Sequence, residues 1–209
     1  MTNAKSHTAF SLIELLVSIA IIAIITGLSM AAYGKFTANA QKTRCVEFVH
    51  QVRTALEQIY QGSDHWPATL QNAAASGDGR LDKTAGAVLA RSKMSLTYGT
   101  TDNDDGTRTY VLKGHDRFGI VTPWARDYIV HHDSAALSSK LPGGGTIQDH
   151  ILRFALDLDY DGITEVAHGY DGGNARVRAQ ACVWSYGRDG VPNTKDDVRS
   201  WAKGQEVGR

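Results

Sequence analysis

From Phe10 to Ala32 the chain is a hydrophobic run whose one ionisable side chain is Glu14, the fifth residue after the Ala9–Phe10 junction. As a helix this run would be roughly 34 Å long at about 1.5 Å per residue, enough to cross a hydrocarbon core of about 30 Å. A segment with so little polar surface must sit in lipid or against sister helices. A secretory signal peptide has a shorter apolar core with its small-residue cleavage site at the far end. Here the small residue, Ala9, lies on the near side, so cleavage there would leave the span attached. Glu14 stands out because a carboxylate in an apolar helix costs about 2.5 to 3.5 kcal/mol at the bilayer centre and less near the interface. It needs either the headgroups or a partner of opposite charge.

The string Ala9-Phe10-Ser11-Leu12-Ile13-Glu14-Leu15-Leu16-Val17 resembles the class III leader and N-terminus of type IV pilins and of type II secretion pseudopilins. The resemblance implies that a membrane-embedded prepilin peptidase cuts between Ala9 and Phe10 and methylates the new Phe10 amine. It also implies that Glu14 meets the Phe10 ammonium of a neighbouring subunit during filament assembly. The physics is compatible, since two opposite charges that are each costly in lipid cost less together and set an axial register. The family usually has Gly where this chain has Ala9, and a more basic leader than one with Lys5 as its only Lys or Arg.

With 209 residues and a formal net charge of +0, the chain leaves about one ordinary domain after the leader and span, and no basic balance that points to nucleic acid. Its 42% hydrophobic content supports a core, while 21 Gly against 4 Pro favours a head rich in turns and loops. Cys45 and Cys182 could bridge in an oxidising compartment or remain two buried thiols; their separation in sequence leaves both open. No Cys-X-X-Cys or His-X-X-X-His spacing is present, which argues against zinc.

The helical signal continues past the span. Cys45, Val49, Val52, Leu56 and Ile59 recur at spacings of four, three, four and three with charged residues between them, an apolar stripe that packs on the head. One helix of about 50 residues, some 75 Å at the standard rise, is expected from Phe10 to near Gln61. The heptad pattern is too short for a coiled coil. The organisation is a leader at 1–9, a span at 10–32, an amphipathic continuation at 33–61 and a globular head at 62–209. His65-Trp66-Pro67-Ala68-Thr69-Leu70 makes a rigid turn with an aromatic anchor and is similar to the aromatic-Pro-X-X-Leu segment of pseudopilins. Leu70 to Lys93 holds one or two short helices split near Ser76–Gly79. Strands are expected at Thr107–Leu112, Ile120–Val121, Asp127–His131, Ile151–Leu156 and Val177–Tyr186. Thr122–Tyr128 resembles the family's Asp-Pro-Trp-Gly-Asn-Pro-Tyr segment, with Thr122 and Ala125 departing from it. The fold class is α+β: a long N-terminal helix packed on a small antiparallel sheet with long loops.

Three acidic, glycine-containing loops follow. Ser185-Tyr186-Gly187-Arg188-Asp189-Gly190, with Asp196-Asp197-Val198 and Trp201, resembles the calcium loop of major pseudopilins and makes Asp189, Asp196 and Asp197 the first candidate ligands. Calcium takes six to eight hard oxygen ligands, which carboxylates and loop carbonyls supply. Asp157-Leu158-Asp159-Tyr160-Asp161-Gly162-Ile163-Thr164-Glu165 opens like a calcium loop, but its twelfth position is His168. Asp157, Asp159, Asp161 and Glu165 are therefore a second candidate set, against a plain hairpin turn. Asp102-Asn103-Asp104-Asp105-Gly106 reads as a turn.

No nucleophile elbow, phosphate loop or metalloprotease helix is present, and a non-enzymatic role is expected. By resemblance, the chain is a structural pseudopilin of a type II secretion system, closest to the major one. It would be anchored once in a bacterial inner membrane with its head in the periplasm. Its partners would be copies of itself, other pseudopilins, the prepilin peptidase and the inner-membrane assembly platform. The alternatives are a type IV pilin or minor pilin for adhesion, motility or DNA uptake, and a membrane-anchored calcium- or carbohydrate-binding surface module.

Overall fold

A computed structural model describes residues 11–76, 79–92, 94, 96, 98–132 and 140–207. Two compact units divide the chain, Met1–Ala40 and Gln41–Arg209. Helix α1, Leu12–Ser63, contributes to both.

In the first unit the apolar side chains of α1 find no cover: Leu12, Ile13, Leu16, Ile22, Ile25 and Leu28 are all more than half exposed. The helix is long and apolar enough to span a membrane. Its hydroxyls are satisfied within the helix, with Ser18, Thr26 and Ser29 each donating at 2.7 Å to the carbonyl four residues earlier. That leaves few polar groups that would resist a hydrocarbon environment.

In the second unit the expected stripe is buried. Cys45, Val49, Val52 and Leu56 are inaccessible to solvent, and Ile59 packs at the edge of the same core. They meet Leu70 of α2 (Ala68–Ala75) and Leu89 of α3 (Lys83–Leu89), together with Leu81, Ile120, Leu152, Phe154 and Val183. At about 1.5–3 kcal/mol for each buried aliphatic or aromatic side chain, this cluster is the main stabilising element of the head. Asp82 starts α3 by accepting the Thr84 and Ala85 amides at 2.9 Å, which satisfies otherwise orphaned first-turn donors. Trp66 acts as the expected anchor, 1% exposed, with its indole N–H donating to the Asp157 carbonyl at 2.8 Å.

The head is α+β as expected, with its strands arranged among the described residues in three small antiparallel sheets. The first pairs β1 (Tyr98–Asp102) with β2 (Arg108–Leu112) around the Asp102–Gly106 turn. The second has the order β3-β6-β7, from Arg153–Leu156, Ala181–Ser185 and Val198–Arg199. The third has the order β4-β5-β8, from Thr164–Val166, Ala175–Val177 and Glu206–Val207.

Three strand expectations are corrected. Asp127–His131 belongs to a helix, α4 (Pro123–His132). Pro123 suits a first helical position, and Ala125, Tyr128 and Ile129 recur at helical spacing to pack with Val121, Leu141, Ile147 and Ile151. Val177–Tyr186 is split between β5 and β6, because Arg178 donates to Gln205 and the Gln180 carbonyl accepts from Asp157, which sends the two ends to different sheets. Ile120–Val121 forms isolated bridges: the Ile120 amide donates to Leu81 at 2.9 Å and its carbonyl accepts from Leu152 at 2.8 Å.

Both cysteines are buried thiols. Alternation along β6 sends Val183 to the cluster that contains Cys45, and Cys182 to a separate cluster with Trp184 and Trp201. Burial pushes both thiols up to about 12, outweighing the Ser185 contact at Cys45 and the Arg53 charge near Cys182. Neither is a reactive thiolate at neutral pH.

Candidate functional site

At the N-terminus, Ala9 and Phe10 lie outside the described residues, and Glu14 is in the first turn of α1. Its carboxylate accepts the Ser11 backbone amide at 2.9 Å. With Leu12 as the first helical residue, Glu14 is the third, the position from which an acidic side chain reaches back to cap the helix. The positive end of the helix dipole favours a carboxylate there. The same carboxylate is therefore held beside residue 11.

In the head, the C-terminal loop assembles the three acids singled out from the sequence. A residue that sequence reasoning did not select, Thr194, stands at their centre. Its hydroxyl oxygen lies 2.7 Å from Asp196 Oδ1, 3.2 Å from Asp197 Oδ1, 3.4 Å from Asp189 Oδ1 and 3.2 Å from the Val191 carbonyl. One hydroxyl proton can satisfy only one of these acceptors at a time. The loop is held by its own acids: Asp196 Oδ2 accepts the Arg188 and Asp189 amides, Asp189 Oδ1 accepts Val191 N at 2.8 Å, and Asp197 Oδ2 accepts Asn193 N at 2.8 Å.

Two glycines make the turn possible. Gly187 has φ +72°, and a Cβ there would stand 2.4 Å from Asp196 Oδ2. Gly144, at φ +117°, brings the 143–145 backbone against the loop so closely that a Cβ would lie 2.7 Å from the Asp189 carbonyl. That the Gly143–Gly145 run backs the acidic turn is a tertiary fact.

The three carboxylates differ in charge environment. Burial pushes the Asp196 carboxyl up, but hydrogen bonds from Thr194, Arg188 and Asp189 outweigh it and hold it below the usual carboxylate range. At Asp197 burial prevails over the Asn193 amide and the Arg199 charge, and the carboxyl lies above that range. The Asp197 side chain is 2% exposed and paired with Arg199 at 3.1 Å, so one of its oxygens is already committed. The donor set fits a hard cation in kind: carboxylate oxygens, a hydroxyl and a carbonyl, without nitrogen or sulfur.

The second loop brings together Asp157, Asp159 and Asp161, each with one carboxylate oxygen within 4.8 Å of the others. Asp157 is buried and accepts the Asp161 and Gly162 amides at 3.2 and 2.8 Å, the bonding of a tight turn. Burial and the neighbouring Asp159 raise its pKa against those hydrogen bonds. Glu165 lies outside this trio. It sits on β4 opposite Arg176 of β5, 4.0 Å from that guanidinium, and is exposed. Arg176 also reaches Asp161 at 3.6 Å, a cation on the loop that sequence reasoning missed because the β4–β5 pairing creates it.

Residues 4–30 match the model of the prokaryotic N-terminal methylation motif. The chain is 34% identical over 106 residues to a fimbrial protein of Pseudomonas aeruginosa, covering 49% of this chain and 65% of that protein. It is 31% identical over 64 residues to a fimbrial protein of Neisseria meningitidis serogroup A, covering 31% of this chain and 38% of the relative. The aligned part thus spans less than two thirds of the length of these relatives. No solved structure matches the chain. Through the methylation motif and these fimbrial relatives, the N-terminal part of the chain is similar to type IV pilin-like proteins.

Proposed function

We propose that this protein is a membrane-anchored filament subunit, cut between Ala9 and Phe10 by a prepilin peptidase, methylated on Phe10 and polymerised through α1. The observation that carries this reading is Glu14. It lies in the first turn of a helix whose apolar side chains are exposed along the span, within the methylation motif. Such a surface gains by burial against lipid before assembly and against copies of itself afterwards. A Phe10 ammonium from an adjacent copy would neutralise Glu14 and fix the stagger between helices.

Within that class, we assign the chain to type II secretion, as a pseudopilin of the major type, with its head in the periplasm and its anchor in the inner membrane. The support is the acidic C-terminal loop, where Asp189, Asp196 and the Oδ1 of Asp197, with Thr194 and the Val191 carbonyl, would hold calcium. The bound ion would supply the positive charge that lets these oxygens approach one another without repulsion. A second reading, a type IV pilin of a surface fibre, is favoured by the description of the relatives as fimbrial proteins.

Glu14→Ala tests the shared core of both readings: the head should fold and the chain should stay in the membrane while filament yield collapses. Normal yield would refute the pairing role. Deleting the gene separates the two readings, since a secretion subunit is required for release of exported proteins and a pilin for surface fibres.

A further inference from the structure

The head carries a groove of about 900 Å³ between α2, the start of α3 and the segment around Phe118. Its wall holds three cations, Arg80, Lys83 and Arg117, against one carboxylate, Asp82. One oxygen of that carboxylate is already engaged by the Thr84 and Ala85 amides. Arg80 is set by the Gln148 side chain at 3.2 Å and acts electrostatically on Asp149 outside the groove wall, and Arg117 lies over the Phe118 ring at 4.9 Å. The result is a concave surface whose lining carries more cations than carboxylates, on a chain whose formal net charge is +0.

The compensating charge lies elsewhere on the same head. The β1–β2 hairpin forms a two-stranded sheet of its own, and its residues are exposed almost throughout. Strand β2 holds it to the head, with Leu112 buried in the main cluster against α3 and Tyr110 packed at the cluster's edge, while β1 and the turn stay largely exposed. Its tip carries Asp102, Asp104 and Asp105, all exposed, with Arg108 paired to Asp102 at 2.8 Å. That leaves Asp104 and Asp105 as excess negative charge on a protruding turn. No residue of the hairpin lines the groove of its own head.

We infer that the acidic β1–β2 hairpin tip of one copy docks in the Arg80–Lys83–Arg117 groove of the next. A knob and a groove at separate places on one surface make a heterologous contact, the kind that propagates into a helical array. Because the copies carry little net charge to repel one another, local complementarity decides the approach and orientation of the heads. The inference rests on the filament reading and adds to it the contact that orients the heads.

The test uses full-length protein assembled in cells, with sheared filament yield as the readout. Lys83→Glu alone, and Asp104→Lys with Asp105→Lys, should each lower the yield roughly tenfold, because like charges then face each other across a contact. Combining all three substitutions should restore most of the yield. All three positions are exposed, and an unchanged melting temperature of each variant confirms that the head still folds. In filaments grown from mixed light and heavy-isotope subunits, a zero-length carbodiimide should join Lys83 of one copy to Asp104 or Asp105 of another. A triple variant as poor as its worse parent, or a Lys83 cross-link only to a foreign protein, overturns the inference. Filaments that ignore every substitution overturn it and leave the filament reading intact, whereas an unmodified chain that never polymerises overturns the filament reading itself.

Discussion

The C-terminal acidic loop offers a quantitative test of the calcium proposal. The perturbation is Asp189→Asn with Asp196→Asn, leaving Asp197 in place. Asp197 pairs with Arg199 at side-chain exposures of 2% and 9%, and removing one partner of a buried pair costs about 3–5 kcal/mol whether or not an ion binds. The two asparagines, by contrast, keep the shape and an acceptor oxygen for the amides of Val191, Arg188 and Asp189. They lose only the charge-assisted part of those bonds, about 1 kcal/mol at each site. In chelator the variant of residues 41–209, which hold every buried cluster, should melt about 4–8 °C below the parent.

Calcium at about 100 times its dissociation constant should stabilise the parent by roughly 2.7 kcal/mol, or about 5–11 °C for a domain of this size. In the variant that increment should nearly vanish, because two anionic ligands have become neutral. The assay is paired thermal denaturation, with calcium and with chelator, followed by far-ultraviolet circular dichroism. A variant that gains as much from calcium as the parent would refute the assignment of the ion to this loop and direct the same test to Asp157, Asp159 and Asp161. A parent that gains nothing would show that the loop is held by its hydrogen bonds alone.

Three further outcomes are expected. Intact-mass measurement of protein from native membranes should show loss of residues 1–9 and one added methyl; a mature chain that begins at Met1 or after Ala32 would contradict the processing. The calcium increment should fade on acidification, first through Asp197. Its raised folded pKa lets a proton compete with the ion above the usual carboxylate range. Asp196, lowered, contributes stability that is present above its unfolded value and lost as pH falls through the folded one. A calcium increment unchanged down to pH about 3, below the ordinary carboxylate values, would contradict this order. Gly187→Ala should cost more than about 2 kcal/mol, since left-handed backbone alone costs an L-residue about 1–2 kcal/mol and the new Cβ would meet the Asp196 backbone at 2.7 Å. A change in chelator melting temperature below about 2 °C would refute it.

Periodicity alone was enough to read the long helix. The four-three spacing of Cys45, Val49, Val52 and Leu56 is a property of local geometry, and each of these residues is buried where the spacing places it. The Glu14 position, the Trp66 anchor and the two short helices were legible for the same reason: caps, turns and stripes act over a few residues. Long-range contacts decided the rest. Tyr128 and Val130 alternate as a strand would, yet Ala125 and Ile129 had Val121, Leu141 and Ile147 to pack against, and that burial selected the helix. Residues 177–186 became two strands because Gln205 and Asp157 captured the backbone between them. Sequence identified Asp189, Asp196 and Asp197 as acids of one loop; that Thr194 stands among them, that Arg199 claims Asp197 and that Gly144 backs the turn depend on residues up to about 50 positions apart being folded together. The groove has the same origin, since Arg80, Lys83, Arg117 and Gln148 become neighbours only when α2, α3 and the Phe118 segment are folded together. Local spacing specifies elements, whereas a site built across them exists only after apolar burial has chosen which elements meet.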